Sequence, residues 1–153
     1  FEAFVQRYEA ANARLGKKQY IVPYLISSHP GAALDDAIEL ALYIRRSGRR
    51  PEQVQDFYPT PGTLSTCMYY TGLDPRTGER LYVAKTPEEK AMQRALMQFW
   101  LPGNQALVRK ALHKAGRDDL IGGGRGCLVP AARPKQGNIP VDKRRRSRYN
   151  NKG

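Results

Sequence analysis

Apolar residues recur at helical spacing from the first position. Phe1, Phe4, Val5, Tyr8, Ala11 and Leu15 mark one face, and Gly16 is a natural stop. After a short connection the pattern changes to a continuous apolar run, residues 20–26, of strand length and suited to a parallel strand covered on both faces. Pro23 sits awkwardly there, because it lacks a ladder donor and belongs at a sheet edge or a bulge. Helical spacing returns with Leu34, Ala37, Ile38, Ala41 and Leu42; Asp35 and Asp36 occupy the first turn, Arg45 and Arg46 the last, and Gly48 follows. Both ends oppose the helix dipole, which fixes the boundaries of this second helix. Residues 52–58 then predict a second, less apolar strand.

Strand, helix and strand in that order predict a right-handed βαβ unit with parallel strands, whose C-terminal ends lie at one edge. The loops at residues 27–31 and 58–63 therefore share the edge where α/β proteins keep their ligands, whether the sheet is open or closed into a barrel. Residues 66–71 and 80–84, rich in aromatic and β-branched types, flank the turn sequence GLDPRTGE and predict a β-hairpin. TPEE, at positions 86–89, is a capping box with Pro87 at the first helical position. It opens a helix carrying Met92, Ala95, Leu96 and Phe99, which LPGN breaks. A further helix follows with Leu107, Val108, Ala111 and Leu112 and ends at Gly116, making an αα-hairpin. From Gly122 onward the chain is Gly- and Pro-rich and basic, and is expected to be disordered and to bury almost nothing.

Length alters the picture little: 153 residues suffice for one ordinary domain with a core. The chain starts at Phe1 already inside a helical pattern, so it reads as a piece cut from a longer protein. There is no apolar stretch of membrane-spanning length and no basic-then-apolar leader, so the expectation is a cytoplasmic protein with no membrane partner. Cys67 and Cys127 are too few and too distant for a disulfide framework or a four-cysteine metal site. The formal charge of +12 is uneven: residues 122–153 hold nine Lys or Arg and one Asp. Within them Lys143, Arg144, Arg145, Arg146 and Arg148 can grip an RNA phosphate backbone, with Tyr149 stacking on a base. A solvated basic extension is the plainer alternative.

Candidate chemistry is sparse. His29 lies at the mouth of the first strand without an Asp, Glu or Cys partner at a recognisable spacing; it can serve as an acid–base group or hydrogen-bond a ligand, although lone loop histidines are more often structural. His113 lies between lysines on a helix and reads as solvated. The pairs Asp35–Asp36 and Glu88–Glu89 sit in first helical turns, where dipole complementation already explains them. Ser27, Ser28, Thr63, Ser65 and Thr66 supply hydroxyls with no base evident in reach, and GGGRG lacks the Lys-Ser/Thr of a phosphate loop. Tyr69, Tyr70, Tyr82, Phe99 and Trp100 read as packing residues.

Three stretches, QYIVPYLISSHPG, QVQDFYPTPGTLSTCMYYTG and ALVRKALHKAGRDDLIG, together resemble the C-terminal part of the YgiQ family of radical SAM proteins. The likeness covers roughly residues 1–121 and is most specific over residues 53–72. It implies an α/β fold, a C-terminal βαβ piece of a partial (β/α) barrel over residues 1–65. A family-specific extension over residues 66–121, a β-hairpin and two helices, follows, then a basic tail over residues 122–153. It implies a parent enzyme that uses a [4Fe–4S] cluster, held by a Cys-x3-Cys-x2-Cys motif, and S-adenosylmethionine for radical chemistry on an unknown substrate. The last barrel strands of that family help seat the adenosine portion and close the substrate cavity. By this resemblance Ser28 takes the place of a family glycine, and Ser28, His29, Pro30, Gln55, Phe57, Pro59 and Thr60 border the cofactor cavity. The three-cysteine motif is absent, and Ala32 and Ala33 stand where Glu-Thr is frequent. This chain alone is thus expected to carry no cofactor and no catalysis, with the remainder of a parent chain as its partner. The alternatives are an RNA-binding module acting through the basic tail, or a protein-docking domain.

Overall fold

The computed structural model describes residues 1–132. Among them are five α-helices and one two-stranded parallel sheet, in the order α1 (Glu2–Arg14), β1 (Leu25–Ser27), α2 (Leu34–Ser47), β2 (Val54–Asp56), α3 (Leu64–Thr71), α4 (Pro87–Met97) and α5 (Gln105–Lys114), with short 3-10 turns at Pro102–Asn104 and Asp118–Leu120. The βαβ unit forms as its pattern predicts: Leu25, Ile26 and Ser27 pair in register with Val54, Gln55 and Asp56. Its helix is bounded by the expected signals. The Asp36 carboxylate accepts from the Ala33 N–H at 2.7 Å, and Gly48 closes the helix in the left-handed conformation.

Two strand expectations change. Only three residues of each predicted strand pair, and the run before Leu25 lies outside any strand among the described residues. Nor is that run covered on both faces. Ile21, Pro23, Leu25 and Ser27 turn inward, while Tyr20, Val22, Tyr24 and Ile26 are 81%, 64%, 60% and 45% exposed. The alternation is the two-residue period of extended backbone, and it leaves an aromatic and aliphatic face open.

The predicted hairpin is replaced by a helix. Residues 64–71 form α3 because Thr63 caps it, its Oγ1 accepting from the Thr66 N–H at 3.2 Å, and Gly72 ends it at φ 68°. One antiparallel bridge, Leu73 to Arg80, is all that remains of hairpin pairing around the GLDPRTGE turn. There the Arg76 guanidinium, through hydrogen bonds to the Asp74 side chain, holds that carboxyl below its ordinary range.

The αα-hairpin forms as expected. Thr86 and Glu89 complete the capping box at 3.2 Å in both directions, and the Thr86 hydroxyl, donating to the Glu89 carboxylate at 2.9 Å, followed by the Thr86 N–H, lowers the pKa of Glu89. One continuous core joins the parts: Ala37, Ile38, Ala41 and Ile44 of α2 pack with Met92, Ala95 and Leu96 of α4 and Val108, Ala111 and Leu112 of α5. The expectation that everything after Gly122 buries little is also corrected. Leu128 and Val129 are buried in this core, and Val129 bridges to Ile121. Residues 133–153, including Lys143, Arg144, Arg145, Arg146 and Arg148, lie outside the described residues.

Candidate functional site at the strand ends

Because β1 and β2 are parallel, their C-terminal ends deliver two loops and the start of α3 to one place. An open depression of about 360 Å³ lies there, lined by Ile26, His29, Gln55, Asp56, Phe57, Tyr58, Thr60, Thr63 and Ser65. It gathers His29, Gln55, Phe57 and Thr60 from the residues the family resemblance nominated. Ser28 and Pro30 are buried behind the loop, and Pro59 is not on the lining.

His29 has two hydrogen-bond partners. Its Nδ1 is 2.8 Å from the Pro30 carbonyl oxygen and its Nε2 is 3.0 Å from Ser65 Oγ. A carbonyl only accepts, so in the neutral ring Nδ1 carries the proton and Nε2 accepts from the Ser65 hydroxyl. Phe57 meets the ring edge-on, with centroids 5.2 Å apart, and Tyr69 packs on Phe57 at 5.7 Å. The sequence offered Ser65 no base within reach, yet the fold brings one across 36 residues. The third partner is a main-chain carbonyl rather than a carboxylate, so it orients the imidazole without supplying the negative charge that stabilises an imidazolium. Such a pair suits hydrogen bonding to a ligand better than activation of a nucleophile.

On the open face of β2 the Tyr24 hydroxyl donates to Gln55 Oε1. On the other face Ser27 Oγ donates to Asp56 Oδ1 at 2.5 Å, and Arg94 Nε donates to the same oxygen at 2.9 Å. Tyr24, Asp56, Gln93 and Arg94 were not nominated from the sequence, and Ser65 only as a hydroxyl without a base; Gln93, a polar residue within the apolar stripe of α4, was the one of the four with a readable signal. His113 is exposed, 2.5 Å from Asp118. Among the described residues no group of three His, Cys, Asp or Glu can hold a metal ion; Cys67 and Cys127 are both free thiols. No described helix is long and apolar enough to cross a membrane.

Ser28 is the one non-glycine residue at positive φ, 60°, among the described residues. Its buried hydroxyl lacks a hydrogen-bond partner. The left-handed backbone costs about 1–2 kcal/mol and the stranded hydroxyl about 1–3, against roughly 0.5–1 for the extra chain freedom of glycine. Ser28→Gly should therefore stabilise the fold by about 1–4 kcal/mol, raising Tm by roughly 3–12 °C. Thermal unfolding followed by circular dichroism checks this, and a lowered Tm would contradict the strain.

A family model described as a domain of unknown function, DUF3362, matches residues 52–153. Among curated proteins the chain is 58% identical over 130 residues to a UPF0313 protein of Clostridium botulinum, covering 85% of this chain and 20% of that one. It is 60% identical over 129 residues to a UPF0313 protein of Clostridium perfringens, covering 84% and 20%. To a UPF0313 protein of Methanocella arvoryzae it is 57% identical over 134 residues, covering 88% and 22%. The chain spans about a fifth of the length of these relatives. No solved structure matches it. From Glu52 onward, through β2, α3 and the helical pair that closes the core over the strand ends, the chain belongs to the DUF3362 family.

Proposed function

We propose that this chain is the closing wall of a radical SAM active site, the C-terminal part of a (β/α) barrel in a longer UPF0313 protein. The observation that carries this reading is the two-faced parallel pair. One face, with Leu25 and Val54, is packed on the core under α4, whereas the other, with Tyr20, Val22, Tyr24, Ile26 and Gln55, is open and leads to the strand-end depression. A strand in a barrel has that asymmetry, with helices outside and the cavity within. The left-handed backbone at Ser28 supports the same reading, since the resemblance places a glycine there.

The donors of the depression suit the adenosyl portion of S-adenosylmethionine. Gln55 and Thr60 offer hydrogen bonds to base and ribose, Phe57 an apolar surface, and the Ser65–His29 pair an oriented hydroxyl. They do not suit the cluster, because the described residues hold no metal-binding group. The cluster ligands belong in this reading to residues outside the chain, and a reduced [4Fe–4S] cluster with S-adenosylmethionine supplies the radical chemistry when bound. This chain's residues shape and dry the cavity around it.

The test uses the full-length UPF0313 protein of Clostridium perfringens, purified anaerobically and reconstituted with iron and sulfide. The expected results are [4Fe–4S] absorbance, reductive release of 5′-deoxyadenosine from S-adenosylmethionine, and no stable cluster on the 153-residue chain alone. Failure of the full-length protein on either count ends the radical SAM reading, as does stoichiometric cluster uptake by the short chain.

A further inference from the structure

The loop that carries His29 is held from outside the βαβ unit. Gln93 of α4 is buried, the one polar side chain among the fully buried residues of that helix. Its Oε1 accepts from the Ser28 N–H at 3.0 Å, and its Nε2 donates to the Ala32 carbonyl at 2.9 Å. One amide thus spans the loop, satisfying a donor at its start and an acceptor at its end. Between them the Gly31 N–H donates to the Tyr82 carbonyl at 2.8 Å. The next residue on α4, Arg94, forks onto the Asp56 carboxylate at the end of β2 through Nε and a terminal guanidinium nitrogen. Neighbouring side chains of one helix therefore fasten both loop-bearing strand ends. Tyr82, Gln93 and Arg94 all fall in the segment that the family model matches, and the His29 loop precedes it.

From this geometry we infer that Gln93 and Arg94 are positioning residues for the strand-end site. In this assignment the α4 segment of the DUF3362 region sets the conformation of the 28–32 loop, and with it the alignment of His29 on Ser65. A buried amide is costly unless both its ends are paired. An apolar side chain such as methionine fills the same volume without that requirement, so simple packing does not call for glutamine at position 93. The strained φ of Ser28 persists in the same way: the Gln93 bond to its N–H helps to hold a conformation that serine otherwise avoids. Arg94 is half exposed, so its ion pair adds little stability, and its forked geometry is directional. The assignment rests on the strand-end depression being the site, but not on which cofactor occupies it.

The test needs no cofactor, so its failure is distinct from failure of the radical SAM reading. In the isotope-labelled 153-residue chain, amide hydrogen exchange is measured at Ser28 and Phe57, and the tautomer of the neutral His29 ring is read from long-range proton–nitrogen spectra. Gln93→Met keeps the volume and removes both hydrogen bonds. It should speed Ser28 exchange roughly ten- to hundredfold and convert His29 from the Nδ1–H form to a mixture, while amides of α2 and α5 keep their rates. Gln93→Glu, which keeps the acceptor, should restore most of the Ser28 protection. Arg94→Gln, a surface change that cannot disturb the core, should speed exchange severalfold at Phe57, whose N–H donates to the Ser27 carbonyl at 2.8 Å. If Gln93→Met does not fold, the Gln93→Glu and Arg94→Gln results decide. A wild-type His29 tautomer and wild-type Ser28 exchange in Gln93→Met overturn the inference, as does a uniform rise at every amide, which marks lost stability alone.

Discussion

A chain ending at Lys85 should show no cooperative unfolding transition. The βαβ unit has its own sequence signals, caps and register, but it does not have its own core. Ala37, Ile38, Ala41 and Ile44 form the buried stripe of α2, and the side chains that cover it come mainly from α4, which α5 backs in the same core. Met92, Leu96, Phe99, Val108 and Leu112 are each buried and contribute about 1.5–3 kcal/mol apiece. Together they match the roughly 5–15 kcal/mol by which a whole domain is stable. Two strands of three paired residues give little to set against that loss. Circular dichroism against temperature and proton chemical-shift dispersion measure the outcome. A sharp melt in the shortened chain would show that the strand-end loops fold without the segment that follows, and would weaken the positioning role assigned to α4 as well.

How far each feature could be read in the sequence follows from how local its cause is. Helices α2 and α4 were legible because their signals sit within a few residues: Asp36 bonding the Ala33 N–H, the Thr86–Glu89 box, and Gly48. Helix α3 was misread as a strand because LSTCMYYT carries β-branched and aromatic residues. The Thr63 cap and the left-handed Gly72 outweigh that weak preference. The two-faced character of residues 20–27 was hidden for a different reason. Nearly every residue there is apolar, so the hydropathy pattern does not show which alternate set faces the helices. At the site, the loops' shared edge followed from chain topology alone. The His29–Ser65 contact spans 36 residues and the Ser28–Gln93 contact 65, and no local pattern encodes either. Gln93 did leave a trace, being polar where Met92 and Leu96 set the apolar stripe of α4. Such a position asks what buried polar group needs it.

Leu128→Ala should cost about 2–4 kcal/mol and lower Tm by roughly 5–15 °C, although Leu128 lies in a Gly- and Pro-rich stretch whose composition predicts nothing to pack. The GCLVP run holds only two large aliphatic residues, too few for a periodicity to register. Their placement depends on backbone bonds rather than on an element. The Leu128 N–H donates to the Leu120 carbonyl at 2.8 Å, the Gly122 N–H to the Val129 carbonyl at 2.9 Å, and the Cys127 N–H to the Gly124 carbonyl at 3.1 Å, so the chain turns back on the end of the Asp118–Leu120 turn. Two helices secure it from the side: Arg45 of α2 donates to the Arg125 carbonyl at 3.0 Å, and Arg109 of α5 to the Pro130 carbonyl at 3.1 Å. With the backbone fixed in this way, truncating Leu128 leaves a cavity beside Leu120 and Val129 that the chain cannot easily close. The comparison is Arg125→Ala, which keeps the carbonyl that Arg45 uses and should move Tm by little. Equal melting of Leu128→Ala and the wild type would mean that this segment does not dock on the core in solution. A fall of the predicted size places the boundary of the folded unit beyond Gly122, at or after Val129.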